Sequence, residues 1–191
     1  MNLRSYISNS ALVNAQIEEK DRAPVGPMKL LGVSYDPLSD TFSLKTKFSF
    51  HPKYKRDFLK QHHSIYDPMG LCAPLMVNQK HMLRALFDEK LDWNATMDPH
   101  FIQEWSKITR NIENFSTKVP RGLFKNGNIV TGSSLWVFAD ASPQAMAVCA
   151  YMENGDSTEI STLISGKAKL APKKRTLTTP KLELLAILLA L

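Results

Sequence analysis

Residues Leu135 to Ala139 set five apolar side chains in succession, and the run ends on a carboxylate, Asp140. Such a run suits a strand buried on both faces. Asp140 does not suit it, because an unpaired buried carboxylate is costly. The acid belongs at the strand's mouth, where a metal, a hydrogen-bond donor or water can meet it. Taken alone, Asp140-Ala141-Ser142-Pro143 is also an ordinary turn opening.

The C-terminal stretch carries a second lone acid. Thr179 reads as a helix N-cap and Pro180 as the first helical residue. From Leu182 to Leu191 every residue is apolar except Glu183. A helix apolar on all sides must be enclosed, so its partners are expected downstream and the chain reads as a fragment. Glu183 alone could be a first-turn acid favoured by the helix dipole. Yet Asp140 and Glu183 are each the single acid on an otherwise apolar element, and the two elements should pack together. Two converging carboxylates begin a divalent-cation site, because Mg²⁺ takes oxygen donors and often only one or two carboxylates.

Charge and cysteine content narrow the class. The chain has 191 residues and a net charge of +6 with a pI near 9.3. The excess is +3 before residue 120 and +3 after it, so there is no basic tail. A polyanionic partner is allowed, not demanded. Two cysteines, Cys72 and Cys149, without a C-x-x-C pair, argue against a disulfide scaffold or a zinc site. They fit an intracellular, reducing compartment, cytoplasm or nucleus. The start has no signal-like apolar run, and Leu184–Leu191 is too short to span a bilayer, so no membrane partner is expected.

Between these landmarks the pattern predicts an α+β chain. Residues 1–27 are polar, with a short helix expected within Asn2–Ile17. Met28–Tyr35 and Thr41–Phe48 are strand-like runs around a turn with Asp36, Pro37 and Asp40, a hairpin. Three helices follow. Pro52–Tyr66 turns Tyr54, Phe58, Ile65 and Tyr66 inward and stops at Asp67-Pro68-Met69-Gly70. Pro74–Leu91 turns Leu75, Met82, Leu86 and Phe87 inward. Pro99–Asn114 carries Phe101, Trp105, Ile108 and Ile112 at spacings 4, 3 and 4, with Asp98 as N-cap. A boundary falls near Val119–Gly132. The opening strand, Ala145–Met152 and Ser157–Ser165 then form an antiparallel meander, with Asn154-Gly155 as a hairpin turn.

Two basic segments are candidates for phosphate contacts: Lys53, Lys55, Arg56 and Lys60 on the first helix, and a loop with Lys167, Lys169, Lys173, Lys174 and Arg175. The plainer account is a solvated face. His62 and His63 are adjacent and point different ways on a helix, which argues against a metal site.

Strand with aspartate, hairpin, third strand, then a helix with an early glutamate resembles the first half of a ribonuclease H domain. Phe138-Ala139-Asp140-Ala141-Ser142, Ser165-Gly166-Lys167-Ala168-Lys169-Leu170-Ala171-Pro172 and Thr179-Pro180-Lys181-Leu182-Glu183-Leu184 are similar to the Pol polyprotein of BEL/Pao-type LTR retrotransposons. Upstream, Lys29-Leu30-Leu31-Gly32-Val33 resembles the primer-grip hairpin after the reverse-transcriptase palm. Ile65 to Pro74 resembles the thumb or connection signature, and Asn2 to Ser10 the segment before the grip. The resemblance implies a palm end with primer-grip-like hairpin over 1–50 and a thumb/connection-like helical region over 51–118. A linker over 119–132 and a truncated ribonuclease H-like domain over 133–191, with three antiparallel strands and a first helix, would follow. It implies Asp140 and Glu183 as metal ligands for Mg²⁺ or Mn²⁺, an RNA–DNA hybrid as substrate and the rest of Pol as partner. Neither activity is expected from the chain alone, since the polymerase aspartates and later nuclease ligands of that family fall outside it.

The same region has also been labelled a Pao peptidase of aspartic type. That chemistry needs two aspartates sharing a proton, each on a glycine loop. Position 142 is Ser, and no second copy of the motif is present. A co-opted nucleic-acid- or protein-binding module without catalysis is the other alternative.

Overall fold

A computed structural model describes residues 5–24, 26–48, 50–123, 132–153, 162–173 and 177–191. Its contacts divide the chain into two compact units, Met1–Leu44 with Ser116–Gly122, and Lys45–Phe115 with Leu123–Leu191. Strand pairings are antiparallel in both sheets, and the class is mixed α/β as expected. Among the described residues no helix is long and apolar enough to cross a membrane.

The first unit has a short helix, α1 (Ala11–Gln16), and a sheet of β1 (Met28–Leu30), β2 (Val33–Asp36), β3 (Thr41–Lys45) and β4 (Ser116–Pro120), in that spatial order. The Met28–Tyr35 run is not the single strand expected. It folds on itself, pairing Leu30 with Val33 around Leu31 (φ +49°) and Gly32 (φ +87°). Two left-handed residues in a two-residue loop match the twist of a hairpin, and Gly32 makes that turn accessible. β4 is a strand that the sequence pattern did not reveal.

The β2–β3 turn is built by its two aspartates. Asp36 accepts from Leu38 N at 3.0 Å and Ser39 Oγ at 2.8 Å. Asp40 accepts from Tyr35 Oη at 2.6 Å and from Arg121 Nε and Nη2 at 2.6 and 3.1 Å. The Arg121 guanidinium holds the Asp40 carboxyl below the usual carboxylate range, with Tyr35 helping. A carboxyl depressed in the folded state stabilises at neutral pH, and that contribution is lost as pH falls through its folded value. Both groups are partly exposed, so solvent screening keeps the pair to about 1 kcal/mol or less. Arg121→Ala is expected to cost that much at pH 7 and less at about pH 2, well below the ordinary carboxylate value. Thermal denaturation at both pH values checks this; an equal loss at each would refute the pairing.

The second unit begins with three helices, α2 (Lys55–Ser64), α3 (Val77–Asp88) and α4 (Pro99–Arg110). Asp57 caps α2 by accepting from the backbone N–H of Lys53 and Tyr54 at 3.1 and 3.0 Å. Asp98 caps α4 through His100 N at 2.7 Å, as expected. Phe58, Leu83, Leu86, Met97 and Trp105 form the helical core. Ile65 and Tyr66 lie past the end of α2, and Tyr66 and Phe87 are exposed rather than inward.

The sheet of this unit runs β5 (Ser134–Ala141), β6 (Ala145–Glu153), β7 (Thr162–Leu170), with β5 at one edge. The Asn154-Gly155 turn lies outside the described residues. β7 ends later than expected, at Leu170, so Lys167 and Lys169 lie in a strand rather than a basic loop. The cause is period-two alternation: Gly166, Ala168 and Leu170 are half-buried, whereas Ser165, Lys167 and Lys169 are exposed.

The helix α5 (Thr179–Ala190) starts one residue before the expected first position, with Thr178 as N-cap. It packs on the sheet through Leu182 and Ala186, against Met146 and Ala171. Leu184, Ile187 and Leu188 stay 59%, 53% and 57% exposed. Within this chain a helix lying on one sheet covers one stripe only, which leaves the rest of its apolar surface open.

α3 lies along β7. Lys80 Nζ donates to Ala168 O at 2.7 Å, Arg84 Nη1 donates to Ala171 O at 2.8 Å, and Asp88 pairs with Lys173. The turn before α3 meets the same strand, with Gly166 N donating to Met69 O at 2.8 Å. One rim of the sheet is thus tied to the helices, while the β5 edge carries exposed Leu135, Trp136, Val137 and Phe138.

Candidate functional site

Asp140 is the penultimate residue of β5 and is paired with Ala147. It is exposed, as an acid on an apolar strand must be to keep its hydration. The pleat places it on the face of Phe138, Ala147 and Cys149, which bounds a cavity of about 820 Å³ with Leu71, Pro74 and Val77 on the far wall. Ala141 and Met146, one step along, belong to the face that receives α5.

Glu183 occupies the first turns of α5 and is exposed. It follows Leu182 by roughly 100° around the helix, which puts it on the flank of the packed stripe. The strand and helix pack together, and each holds its acid at an exposed position. Among the described residues there is no group of three or more His, Cys, Asp or Glu able to hold a metal ion.

Ser142 has a structural role. Its N–H donates to Ala145 O at 2.8 Å, and its Oγ accepts from the N–H of Gln144 and Ala145 at 3.2 Å each. The Asp140–Ser142 segment is thus the start of a hairpin turn, without the glycine loop an aspartic peptidase needs.

The cationic candidates separate. Lys53, Arg56 and Lys60 are exposed on or beside α2, with Arg56 over the Tyr54 ring at 5.2 Å and Lys60 over the Phe50 ring at 5.3 Å. Lys55 does not share their face. It is buried, donates to Leu91 O at 3.0 Å, and lies 4.8 and 5.5 Å from the Phe87 and Trp93 ring centroids. Its stem and charge are absorbed by the fold. Lys167 and Lys169 are exposed on β7, and Lys173 is engaged by Asp88. Lys174 and Arg175 lie outside the described residues. Lys80 and Arg84, which the sequence reading did not single out, tie α3 to β7 and the residue after it.

Both cysteines are free. Burial pushes the Cys72 thiol up to about 11, with the Asp67 charge adding to it, so it stays protonated at neutral pH.

A family described as "Pao retrotransposon-like RNaseH-like domain" matches residues 54–191. No curated protein matches the chain. Among solved structures, the foamy viral protease-reverse transcriptase dRH in complex with double-stranded DNA is similar over 84% of this chain and 27% of that one, at 13% identity and a TM-score of 0.52. At that identity the likeness concerns the fold. This chain spans little more than a quarter of that polypeptide.

Proposed function

Because the chain belongs to the Pao retrotransposon-like RNaseH-like domain family, we propose that it joins the end of a reverse transcriptase to the front of a ribonuclease H within a retrotransposon Pol polyprotein. The intact protein acts in RNA-templated DNA synthesis and in metal-dependent hydrolysis of RNA in RNA–DNA hybrids. The observation that supports the nuclease half is that two apolar elements, each bearing one lone exposed acid, pack together: β5 with Asp140 near its end and α5 with Glu183 near its start.

Asp140 and Glu183 would hold the cation. They offer oxygen donors only, the type Mg²⁺ or Mn²⁺ takes, and Mg²⁺ keeps several of its waters in such sites. The donor set fits in kind; clamping two ions calls for more acids than these two. When bound, the cation supplies positive charge that stabilises a phosphodiester under attack by water. The chain's own part is to fix one carboxylate on a strand and the other on a helix resting on that strand. The nucleic acid would be held by phosphate contacts from Lys53, Arg56, Lys60, Lys167 and Lys169, the exposed cations of α2 and β7.

Hybrid cleavage by a Pol polypeptide containing this chain is expected to fall on the order of a hundredfold on Asp140→Asn or Glu183→Gln, with hybrid binding little changed. Cleavage indifferent to both substitutions would sink this reading. Hybrid binding without any cleavage by the unaltered polypeptide would instead point to a binding module that has lost catalysis.

A further inference from the structure

A second cavity, of about 430 Å³, lies where α2, the turn before α3, and β7 meet. We propose that this cavity, bounded by His62, His63, Asp67, Lys80, Gly166 and Lys167, is a phosphate-binding site, for a nucleic-acid backbone phosphate or for free phosphate. It goes beyond the metal-site reading and does not rest on Asp140 or Glu183.

The argument is one of uncompensated charge. Among the described residues the single carboxylate on the wall is Asp67, and both its oxygens are occupied by backbone donors, Leu71 N at 3.0 Å and Cys72 N at 2.6 Å. Facing it are Lys80, half-buried, and Lys167, with two imidazoles beside them. Among the described residues Lys80 Nζ has one acceptor, the neutral carbonyl of Ala168, which leaves it further N–H donors to offer. A cation partly withdrawn from water without a bound carboxylate favours an incoming anion. His62 Nδ1 is taken by Gln79 Oε1 at 3.0 Å, which turns the other ring nitrogen away from Gln79. Burial, together with the charges of His63 and Lys80, holds His62 below the ordinary imidazole pKa, while Gln79 acts the other way. Lys80 is likewise lowered by burial and raised in part by Asp67. The groups around His62 are therefore net cationic. The volume exceeds that of a single phosphate, so an attached sugar can be admitted.

The site is tested on the full 191-residue chain by following the His62 ring resonances through a pH titration. One titration contains inorganic phosphate, one contains chloride at matched ionic strength, and one contains a short RNA–DNA hybrid. An anion seated beside His62 favours its charged form, so its pKa is expected to rise by roughly half a unit or more over chloride. Lys80→Met should abolish that rise, and Lys167→Gln, at an exposed position that leaves the fold intact, should reduce it several-fold. A rise with both phosphate and hybrid supports a general phosphate site. A rise with hybrid alone assigns the site to backbone phosphate, and with phosphate alone to the free anion. No rise with either, or a rise unaltered in Lys167→Gln and Lys80→Met, overturns the proposal. These outcomes are independent of hybrid cleavage: the site can fail while Asp140-dependent cleavage stands, and the reverse.

Discussion

Gly70→Ala is expected to destabilise the second unit by about 3–5 kcal/mol, the sum of a left-handed backbone penalty, a lost hydrogen bond and an overpacked contact. Gly70 sits at φ +71°, and a Cβ there would stand 1.6 Å from the carbonyl oxygen of Gly166 and 2.5 Å from its carbon. Those are backbone atoms of a paired strand, so no side chain can swing aside. Relief requires the turn to lift off β7, which breaks the Gly166 N to Met69 O bond. Gly166→Ala should be milder, at about 1–2 kcal/mol, because its Cβ would meet Gly70 O at 2.9 Å, a much smaller overlap than the one at Gly70. Urea denaturation of the two variants measures both. A Gly70→Ala protein within about 1 kcal/mol of the parent would mean that the turn is not held against the strand. Loss of the contact should also open both cavities, since Gly70 and Gly166 line each of them.

That contact also marks the limit of what the sequence allows one to read. Local signals were legible where one physical cause dominates. The 4, 3, 4 spacing of Phe101, Trp105, Ile108 and Ile112 and the Asp98 cap describe α4 as it folds. The Asp36 and Asp40 turn is of the same kind. Signals that depend on a distant segment were not legible. Gly70 and Gly166 both stand in motifs, yet nothing local says that they touch. Lys55 counts as one more cation on a basic helix until Leu91, Phe87 and Trp93 arrive around it. Lys167 and Lys169 read as loop because lysine density outweighed the alternation of small residues between them. In Met28–Tyr35, apolar density hid a hairpin, although Gly32 was the residue that signalled it.

The candidate site was legible only in part, for a related reason. Lone acids on apolar elements stand out in a one-dimensional pattern, so Asp140 and Glu183 could be singled out. The face each occupies depends on which side of the sheet α5 takes. A helix apolar all round carries no moment to decide that. Leu182 and Ala186 settle the packed stripe through Met146 and Ala171, and Glu183 falls on its flank. The phosphate cavity was not legible at all, because Lys80, His62 and Lys167 come from three elements and only the fold brings them together.

Trp105→Ala is expected to cost about 4–6 kcal/mol, comparable with the whole stability of a small unit, and to unfold the three-helix region at ambient temperature. Trp105 is fully buried and packs edge-on to Phe58, with ring centroids 5.2 Å apart at 76°. Its removal empties the centre of the α2–α3–α4 core. A second loss is polar. Trp105 Nε1 donates to Gln61 Oε1, and Gln61 Nε2 donates to Phe50 O, so a buried amide is satisfied at both ends. Without the indole, the Gln61 oxygen is stranded, at about 1–3 kcal/mol. Trp105→Phe separates the terms: it keeps an aromatic body and removes the donor, so it should fall between the parent and Trp105→Ala. Adding Gln61→Met to Trp105→Phe removes the stranded oxygen, and the double variant should be more stable than the sum of the singles predicts. Strict additivity in denaturant titrations would show that Gln61 is not committed to the indole. The core would then be held by apolar packing alone, and the buried Gln61, rather than Trp105, would be the residue left without an account.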